Sequence, residues 1–445
     1  MPSRHLYEDV AFFVPMSENE LQPRNQRGTA VTHRRLTGPT SFALGAILLI
    51  ASLAARIAIY PTIVSDYTYF VAKWFVALQS SPGLSAFQAA FSDYPPLYLY
   101  LIKLLTYIPV SSLYSVKTLS LGADIAIAIA CGLIIRDRER KDLDRRIPWE
   151  KLFFAGAIVL SIPTIVINSS LWGQADAFYT AAILFSLLFI LKDKPLPAAV
   201  AFAISFCFKV QSVFFLPILI GYYLRAPKRL MYLALIPIAY LVSIIPAWLS
   251  GGSLAYLLGI YLHQGSEYTS LNMSSASVFA FIEKFSLSSD MQNLFFWSGL
   301  LLAAIAALSI IWLIARPAHA SSDRRLLLFA LISASIIPFF LPRMHERYFY
   351  LADALSVLIA LYSPRRWYLP VLFVSASLLS YMPFLSSQVS WLSFAQVDLR
   401  IPSSLLIIGI MLSIQSLIAI RKEETREEKG EARPISLKAP WSGVA

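Results

Sequence analysis

The sequence is poor in charged residues and in cysteine. Only 14% of its 445 residues are charged, and its two cysteines, Cys131 and Cys207, both lie inside apolar runs. Two such cysteines indicate neither a metal cluster nor a disulfide framework. The net charge of +11 is concentrated in a few short basic segments, so it predicts membrane topology and not nucleic-acid binding. A cleavable signal peptide is also missing, because a polar leader precedes the first apolar run.

Apolar residues, by contrast, make up 57% of the chain, and its mean hydropathy is +0.64. This composition predicts an all-α polytopic membrane protein with about twelve transmembrane helices. The predicted spans are residues 41–60, 113–135, 152–168, 177–191, two short helices within 196–224, and residues 230–249, 294–315, 326–341, 348–362, 368–383 and 401–420.

Basic segments orient these spans, because positively charged loops stay in the cytoplasm. A leader at residues 1–40 and a tail at residues 421–445 are therefore both predicted to be cytoplasmic, on either side of a transmembrane domain at residues 41–420. The same rule gives this domain two long outer loops, at residues 61–112 and 250–290.

Two segments need special treatment in this topology. Residues 96–110 look helical, but a crossing there would export the most basic loop of the chain, residues 136–146. We therefore predict that residues 96–110 form a helix along the outer interface. Residues 196–224 begin and end at cytoplasmic charges, so they must turn at membrane depth near Lys209 and Gln211, which requires burial in protein or contact with water.

The first outer loop contains two carboxylates in an aromatic-rich stretch that is too polar to span a bilayer. Asp66 follows the first span, Asp93 comes later in the loop, and Tyr67 and Tyr94 are their neighbours. A carboxylate beside a bilayer is costly to keep, which favours a functional site. The alternative is an interfacial loop whose aromatic rings meet the headgroups and whose acids are solvated.

Other polar outliers fall on the same predicted side of the membrane. They are the turn Trp172-Gly173-Gln174-Ala175-Asp176, the turn Arg343-Met344-His345-Glu346-Arg347, Lys209 with Gln211, and the loop that contains Asn272. These segments are far apart in sequence, and charge patterning alone brings them to one face, which favours a shared site. Asp124 lies within a span, where bonding to a neighbouring helix explains an acid as well as a functional role does.

Carboxylates with Arg, His and Lys at a bilayer surface suit an anionic, lipid-attached substrate such as a sugar on a polyprenyl phosphate. The phosphate leaves as a competent anion, so the reaction needs no general acid. It needs a carboxylate that takes the proton from the attacking hydroxyl, and cations that bind the departing phosphate. One in-line displacement then inverts the anomeric centre. We assign the base to Asp66. The predicted phosphate clamp is Arg343, His345 and Arg347.

The stretches SDYTYF, SDYPPLYLYL, SSLWGQADAFYT, FKVQ and LPRMHERYFY resemble the integral-membrane glycosyltransferases of C-type fold (GT-C). The resemblance is closest to microbial relatives of the second mannosyltransferase of GPI-anchor assembly (GPI mannosyltransferase II). It implies that Asp66 is the catalytic base and that Asp93 is a second acid. The donor-binding residues that it implies are Trp172, Gln174, Asp176, Lys209, Gln211, His345, Glu346 and Arg347. Acceptor contacts are expected from Tyr67, Tyr94 and Asn272 in the outer loops.

Together these patterns predict an inverting glycosyltransferase that moves a hexose, with mannose as the first candidate, from a polyprenyl-phosphate donor similar to dolichyl-phosphate-mannose. The acceptor would be a hydroxyl of a glycan, glycolipid or protein at the outer face of a bacterial or archaeal plasma membrane. Glucosyl or pentosyl transfer on the same scaffold is one alternative. A secondary transporter is another, although its polar groups would gather at the midplane between inverted halves. The chemistry needs no cofactor, but Asp66 and Asp93 could share a divalent ion.

Overall fold

The structure, a computed structural model, describes residues 38–143, 148–267, 269–316, 322–393 and 396–429. Nearly all of the predicted leader and residues 430–445 of the predicted tail lie outside these ranges. The described part of the chain is almost entirely helical, which confirms the all-α prediction.

Sixteen α-helices lie within the described ranges. They are α1 (Gly38–Ile59), α2 (Ala72–Ser80), α3 (Pro96–Leu105), α4 (Ser112–Leu143), α5 (Trp149–Leu160), α6 (Pro163–Val166), α7 (Asp176–Leu191), α8 (Pro195–Phe208), α9 (Leu216–Leu224), α10 (Leu235–Leu249), α11 (Leu254–Ser266), α12 (Ser289–Ala315), α13 (Asp323–Phe340), α14 (Tyr350–Tyr362), α15 (Tyr368–Gln388) and α16 (Arg400–Glu428).

Shorter helical turns and one pair of strands connect these helices. The π-helices are Tyr67–Val71 and Ile167–Trp172. The 3₁₀-helices are Ser85–Gln88, Val210–Phe215, Pro227–Ala234, Val278–Phe281, Glu346–Phe349, Pro364–Arg366 and Ser390–Leu392. The strands β1 (Asn272–Met273) and β2 (Met344–His345) pair in parallel.

Six described helices are long and apolar enough to cross a membrane, and a seventh span results if α5 and the bent segment that follows it are counted as one. The protein is therefore a multi-pass membrane protein, but the predicted count of about twelve spans is not confirmed. The difference is largest at α7 and α8, which have 16 and 14 residues. At about 1.5 Å per residue, each is about 24 Å long or less, against a hydrocarbon core of about 30 Å.

The chain breaks and turns where the charges predicted it. Helix α8 ends at Phe208, Lys209 is extended (φ −159°, ψ 138°), and the chain returns through Val210–Phe215 into α9. Helix α16 continues through the first residues of the predicted tail, as far as Glu428.

The first outer loop packs firmly onto the bundle. Its ten-residue helix α3 is about 15 Å long and cannot cross the membrane alone, and its place at the interface stays a prediction. Buried Lys103 of α3 donates from Nζ to the carbonyl oxygens of Leu78 (2.7 Å) and Ser81 (2.8 Å), which caps the end of α2. Trp74 and Tyr98 join the same apolar cluster as Trp172. The outer loop is thereby fixed next to the Trp172 turn.

Asp124 ties helices together inside the bundle. Its carboxylate accepts hydrogen bonds from Arg56 of α1 (2.9 Å) and Tyr350 of α14 (3.1 Å). The same Arg56 nitrogen donates to Ser169 and Ser170 in the π-helix that leads to the Trp172 turn. These contacts support the reading of Asp124 as a bond between helices.

Candidate active site

A cavity of about 480 Å³ opens at the end of the bundle where α1 and α13 end. The first and second outer loops both contribute to its wall. Eight of the site residues predicted from the sequence line it: Asp66, Asp93, Tyr94, Gln174, Asn272, His345, Glu346 and Arg347. The structure thus brings five separate segments of the chain around one space.

Asp66 holds the central position in this wall. Its Oδ2 accepts hydrogen bonds from Trp172 Nε1 (3.1 Å) and Gln174 Nε2 (2.9 Å), and lies 3.4 Å from Arg347 Nη1. The other oxygen, Oδ1, accepts no hydrogen bond from the residues that the structure describes. The carboxylate is therefore fixed in orientation while one of its oxygens is available to a substrate hydroxyl.

Two π-helices shape the contact between Asp66 and the Trp172 turn. Tyr67–Val71 follows Asp66 directly, and Ile167–Trp172 ends at Trp172. A π-turn inserts one residue into a helix, and such insertions are frequent at functional sites. Gly173 then adopts a left-handed conformation (φ 69°), which glycine reaches without steric cost. The chain reverses there, so that Gln174 also reaches Asp66.

A buried ion pair supports the cavity wall from behind. Asp176, the first residue of α7, lies 2.5 Å from Lys209 Nζ, and the positive end of the helix dipole favours its carboxylate. The Lys209 ammonium lies 5.8 Å and 5.7 Å from the ring centres of Tyr94 and Tyr348, within the range of cation–π attraction. Asp176 and Lys209 do not line the cavity themselves. Lys209 contacts the rings of Tyr94 and Tyr348, and Asp176 lies near Arg347. Tyr94 and Arg347 in turn line the cavity.

Arg347 is the cation that the acidic residues share. Its Nη1 lies 2.9 Å from Glu346 and 3.4 Å from Asp66, and its Nε lies 3.8 Å from Asp176. Burial disfavours the charged guanidinium, but these three carboxylates hold the pKa of Arg347 well above its ordinary value. Its Nε is buried and donates no hydrogen bond within the described ranges. Arg347 therefore keeps its charge, and its Nη1 faces the carboxylates of Asp66 and Glu346 in the cavity wall.

Glu346 and His345 are held in place by the strand pair. Met273 of β1 pairs with His345 of β2, which joins the second outer loop to the His345–Arg347 motif. Burial opposes ionisation of Glu346, but the contacts with His345 and Arg347 outweigh it, so that the pKa of Glu346 lies below its ordinary value. Glu346 is therefore an anion, and its Oε1 accepts a hydrogen bond from Arg347 Nη1 (2.9 Å).

Two non-glycine residues next to the strands have left-handed backbones. Ser274 has φ 60° and Arg343 has φ 63°. Each such residue costs on the order of 1–3 kcal/mol and persists only where its surroundings enforce it. Here the enforcing contacts are the hydrogen bonds from Arg343 N to Leu271 O (2.8 Å) and from Ser380 Oγ to Ser274 O (2.8 Å). These hydrogen bonds therefore fix the position of the strand pair, although the backbone there is strained.

Asp93 also lines the cavity. Burial, with a further contribution from the negative charge of Glu267, raises the pKa of Asp93 to about 6. Gln264 Nε2 donates to the Asp93 carbonyl oxygen (2.6 Å), so the backbone is anchored to helix α11. Asp93 can therefore exchange a proton near neutral pH, as a second acid at the site should.

Acidic groups outnumber basic ones around the cavity. The acids that line it are Asp66, Asp93, Glu283 and Glu346, and the lining bases are Arg347 and His345, while the pair of Asp176 and Lys209 lies behind the wall. An anionic ligand must therefore displace a carboxylate from Arg347 in order to bind. Within the described part of the chain, no three His, Cys, Asp or Glu side chains are grouped so that they could hold a metal ion.

Six predicted site residues do not line the cavity. Trp172, Asp176 and Lys209 contact residues of its wall, whereas Arg343, Gln211 and Tyr67 lie away from it. Arg343 points outward, where its Nη1 donates to Gly265 O (2.7 Å) and its guanidinium lies over the ring of Phe296. Gln211 is buried behind the wall. Tyr67 is buried against α4, where its hydroxyl bonds to Ser112 (2.6 Å). Predicted contacts of Arg343, Gln211 and Tyr67 with donor or acceptor have no geometric support in this arrangement.

The cavity also contains residues that the sequence reasoning did not select. Glu283, Ser274 and Phe384 line it, and Phe384 stacks on Trp172 with ring centres 5.0 Å apart. Glu283 carried a usable signal, because it is an acid in the predicted second outer loop. Phe384 carried none, since an aromatic residue near the end of an apolar helix is ordinary.

The middle of the chain matches a known enzyme family. Residues 91–342, more than half of the chain, match the model of glycosyltransferase family 87 (GT87). The chain belongs to glycosyltransferase family 87. The GT87 match includes Asp93, the Trp172 turn and Lys209, but begins after Asp66 and ends before Arg343. No curated protein matches the chain.

Membership of GT87 decides between the classes of function. The protein is a membrane glycosyltransferase of the C type, so the transporter alternative is wrong. The narrower resemblance to GPI mannosyltransferase II is not confirmed by the GT87 match.

Proposed function

We propose that this GT87 protein transfers a hexose, with mannose as the first candidate, from a polyprenyl-phosphate donor to a hydroxyl group of a glycan, glycolipid or protein at the outer face of the plasma membrane. The observation that carries the proposal is the environment of Asp66. The Trp172 turn places Gln174 against this carboxylate from more than 100 residues away in sequence. The His345–Arg347 motif, which is further away still, places Arg347 against the same carboxylate. A base and a cation side by side are what this reaction requires.

In the proposed reaction, Asp66 Oδ1 takes the proton from the acceptor hydroxyl. The hydroxyl oxygen forms a bond to the anomeric carbon as the bond from that carbon to the phosphate oxygen breaks. The electron pair leaves with the phosphate, which is released as polyprenyl phosphate, and the anomeric configuration inverts. The bonds from Trp172 and Gln174 to Oδ2 keep Oδ1 directed at the acceptor.

Binding of the donor would itself activate Asp66. The incoming phosphate needs Arg347, whose Nη1 contacts Asp66 at 3.4 Å but Glu346 at the shorter distance of 2.9 Å. The looser contact is the easier one to exchange. Transfer of Arg347 from Asp66 to the phosphate leaves the carboxylate without this ion-pair partner, and a carboxylate without a cation beside it accepts a proton more readily. His345, on the same wall, would supply a further hydrogen bond to the phosphate.

The proposed outer-face location rests on the directions that the basic segments give to the spans. Both native cysteines are buried, so single introduced cysteines report on topology. Cysteines at Tyr69 and Leu262, which are 62% and 80% exposed, should react with an impermeant maleimide added outside cells. A cysteine at the exposed Lys228 should react only after permeabilisation. The reverse pattern would place the site in the cytoplasm.

The direct test incubates purified protein with polyprenyl-phosphate mannose, glucose and arabinose and follows the free polyprenyl phosphate by mass spectrometry. We expect release from one of these donors, accelerated by an acceptor with a free hydroxyl. The anomeric configuration of the product should be opposite to that of the donor. The glucose and arabinose donors test the glucosyl and pentosyl alternatives in the same experiment.

The matched control is Asp398→Asn. Asp398 is an exposed acid paired with Lys284 and Arg400, and it does not line the cavity. This variant should release polyprenyl phosphate at the wild-type rate. No release from any donor by a folded wild-type protein would contradict the proposed donor class, and retention of configuration would contradict the single displacement.

A further inference from the structure

A second cavity, of about 240 Å³, adjoins the candidate active site under the second outer loop. Ser270, Asn272 and Glu283 line both cavities, so these three residues form the wall between them. Thr269 and Gln292 add polar groups to the smaller space, and Phe279 and Phe285 add aromatic rings. A compact space with a few polar groups and aromatic faces is typical of a site for a small ring.

Glu283 is the only ionisable side chain among the described residues that line this second cavity. Asn272 Nδ2 donates to Glu283 Oε2 (3.2 Å), and Asn272 Oδ1 is occupied by Ser275 N (3.0 Å) and Ser277 Oγ (3.2 Å). Asn272 is therefore held through both its amide oxygen and its amide nitrogen, and it fixes the Glu283 carboxylate in the wall. Oε1 of Glu283 accepts no hydrogen bond from the described part of the chain, so it can accept from ligand hydroxyls.

The chemistry of the lining does not suit an anionic lipid headgroup. An anionic phosphate needs basic partners, and the nearby Lys284 is paired with Asp398 (2.8 Å) instead. A neutral sugar fits, because its hydroxyls can donate to a carboxylate while its C–H face packs on an aromatic ring. Phe285 is 67% exposed at the rim, where such a face would be reached first.

The wall between the cavities is held at a fixed distance from the donor motif. Asn272 belongs to β1, which pairs with Met344 and His345 of β2. A ligand that occupies both cavities would thus have one unit beside His345 and the next unit beyond Glu283. Since the first unit supplies the attacking hydroxyl, the second lies on the side away from the donor.

We propose that the smaller cavity is the subsite for the second sugar residue of an uncharged oligosaccharide acceptor, with Glu283 as the residue that positions it. This inference rests on the proposed glycosyltransferase function and adds the class of its acceptor. It makes Glu283 a specificity residue and not a catalytic one, because Glu283 acts on the part of the acceptor that does not react.

The test compares octyl α-mannoside with octyl α-mannobioside as acceptors for the purified protein and polyprenyl-phosphate mannose. The wild type should have a KM at least tenfold lower for the two-sugar acceptor, with similar kcat. Glu283→Ala should abolish that difference by raising the KM for the two-sugar acceptor. Glu283→Gln should keep part of it, because an amide still accepts a hydrogen bond from a hydroxyl. Thermal unfolding of each variant shows whether the loop remains folded.

Asp290→Ala is the control, since Asp290 lies in the first turn of α12 and lines neither cavity. It should keep the full preference for two sugars. Equal KM values of the wild type for both acceptors, a preserved preference in Glu283→Ala, or no transfer to either acceptor would each overturn the subsite. Release of polyprenyl phosphate in the same samples is scored separately, so a failed subsite is distinguishable from a failed glycosyltransferase.

Discussion

Replacement of Asp66 by asparagine is the change that most directly tests the proposed mechanism. In Asp66→Asn, the new side chain can present its carbonyl oxygen at the position of Oδ2 and retain the hydrogen bonds from Trp172 Nε1 and Gln174 Nε2, which are 3.1 Å and 2.9 Å long in the wild type. Its amide nitrogen then occupies the position of Oδ1, where it cannot accept a proton. The substitution therefore removes the base and leaves the shape of the site.

The expected effects on folding and on turnover differ in size. A hydrogen bond to a charged group contributes about 1 kcal/mol more than one between neutral groups, so two weakened bonds to Asp66 cost roughly 2 kcal/mol of unfolding free energy. Arg347 keeps its 2.9 Å contact with Glu346 and is not left alone. Loss of a general base lowers turnover by roughly 100- to 10,000-fold, or about 2.7–5.5 kcal/mol of activation free energy.

The assay is single-turnover transfer from polyprenyl-phosphate mannose by variants of matched thermal stability, with Asp398→Asn as a control for the substitution itself. Donor affinity should survive in Asp66→Asn, and the rate should collapse. Asp93→Asn should lower the rate less if that acid only positions the acceptor. A near-normal rate in Asp66→Asn with collapse in Asp93→Asn would transfer the role of base to Asp93. Normal rates in both variants would refute the assignment of the reaction to this cavity.

Three further outcomes test the neighbouring groups. Arg347→Ala should weaken donor binding by about 1.5–3 kcal/mol, and Arg347→Lys should recover only part of this because lysine lacks the planar guanidinium fork. Titration with donor measures both affinities. Wild-type affinity in the alanine variant would exclude Arg347 from phosphate binding. Because burial raises the pKa of Asp93 to about 6, the rate should rise with pH through about 6 as its carboxylate forms, and Asp93→Asn should lose this inflection. Folding stability should fall from about pH 4 to about pH 6, since the folded protein retains a proton on Asp93 that the unfolded chain has released. Unfolding of the wild type and of Asp93→Asn across this range shows whether the fall depends on Asp93. Asp124→Leu leaves the buried Arg56 without its carboxylate partner, so the unfolding free energy should drop by about 3–5 kcal/mol. The KM of the folded protein should stay unchanged. A changed KM at unchanged stability would contradict a purely structural role of Asp124.

Much of the helical architecture could be predicted from the sequence because a bilayer leaves the backbone few alternatives. Apolar runs must be helical there, and basic segments set their direction. The break at Lys209 was predictable for the same reason, since the charges at both ends of residues 196–224 place both ends in the cytoplasm. The lengths of the helices were less predictable. Helix α7 is too short to cross a typical bilayer. Most of its residues are buried in protein, so contact with lipid does not set its length.

The site was predictable to the level of segments and not of side chains. Charge placed Gln174, Arg347 and Arg343 on one side of the membrane, but only the first two reach Asp66. Arg343 turns away because its left-handed backbone points it at Gly265. Glu283 was missed because its contact with Asn272 depends on the fold of a loop that has no periodic pattern. Such details depend on contacts between distant residues.

Four residues of the candidate site share one structural property: each lies where a regular helix is interrupted. Asp66 precedes one π-helix, Trp172 ends another, Lys209 is the extended residue between α8 and a 3₁₀-helix, and His345 lies on a strand of two residues. An interruption at membrane depth leaves backbone groups that only protein or water can satisfy. It is therefore tolerated where a polar cavity already exists, and it frees side chains to point along the helix axis into that cavity. The interruptions and the cavity thus require each other, which explains why the polar residues of an otherwise apolar chain gather at its broken helices.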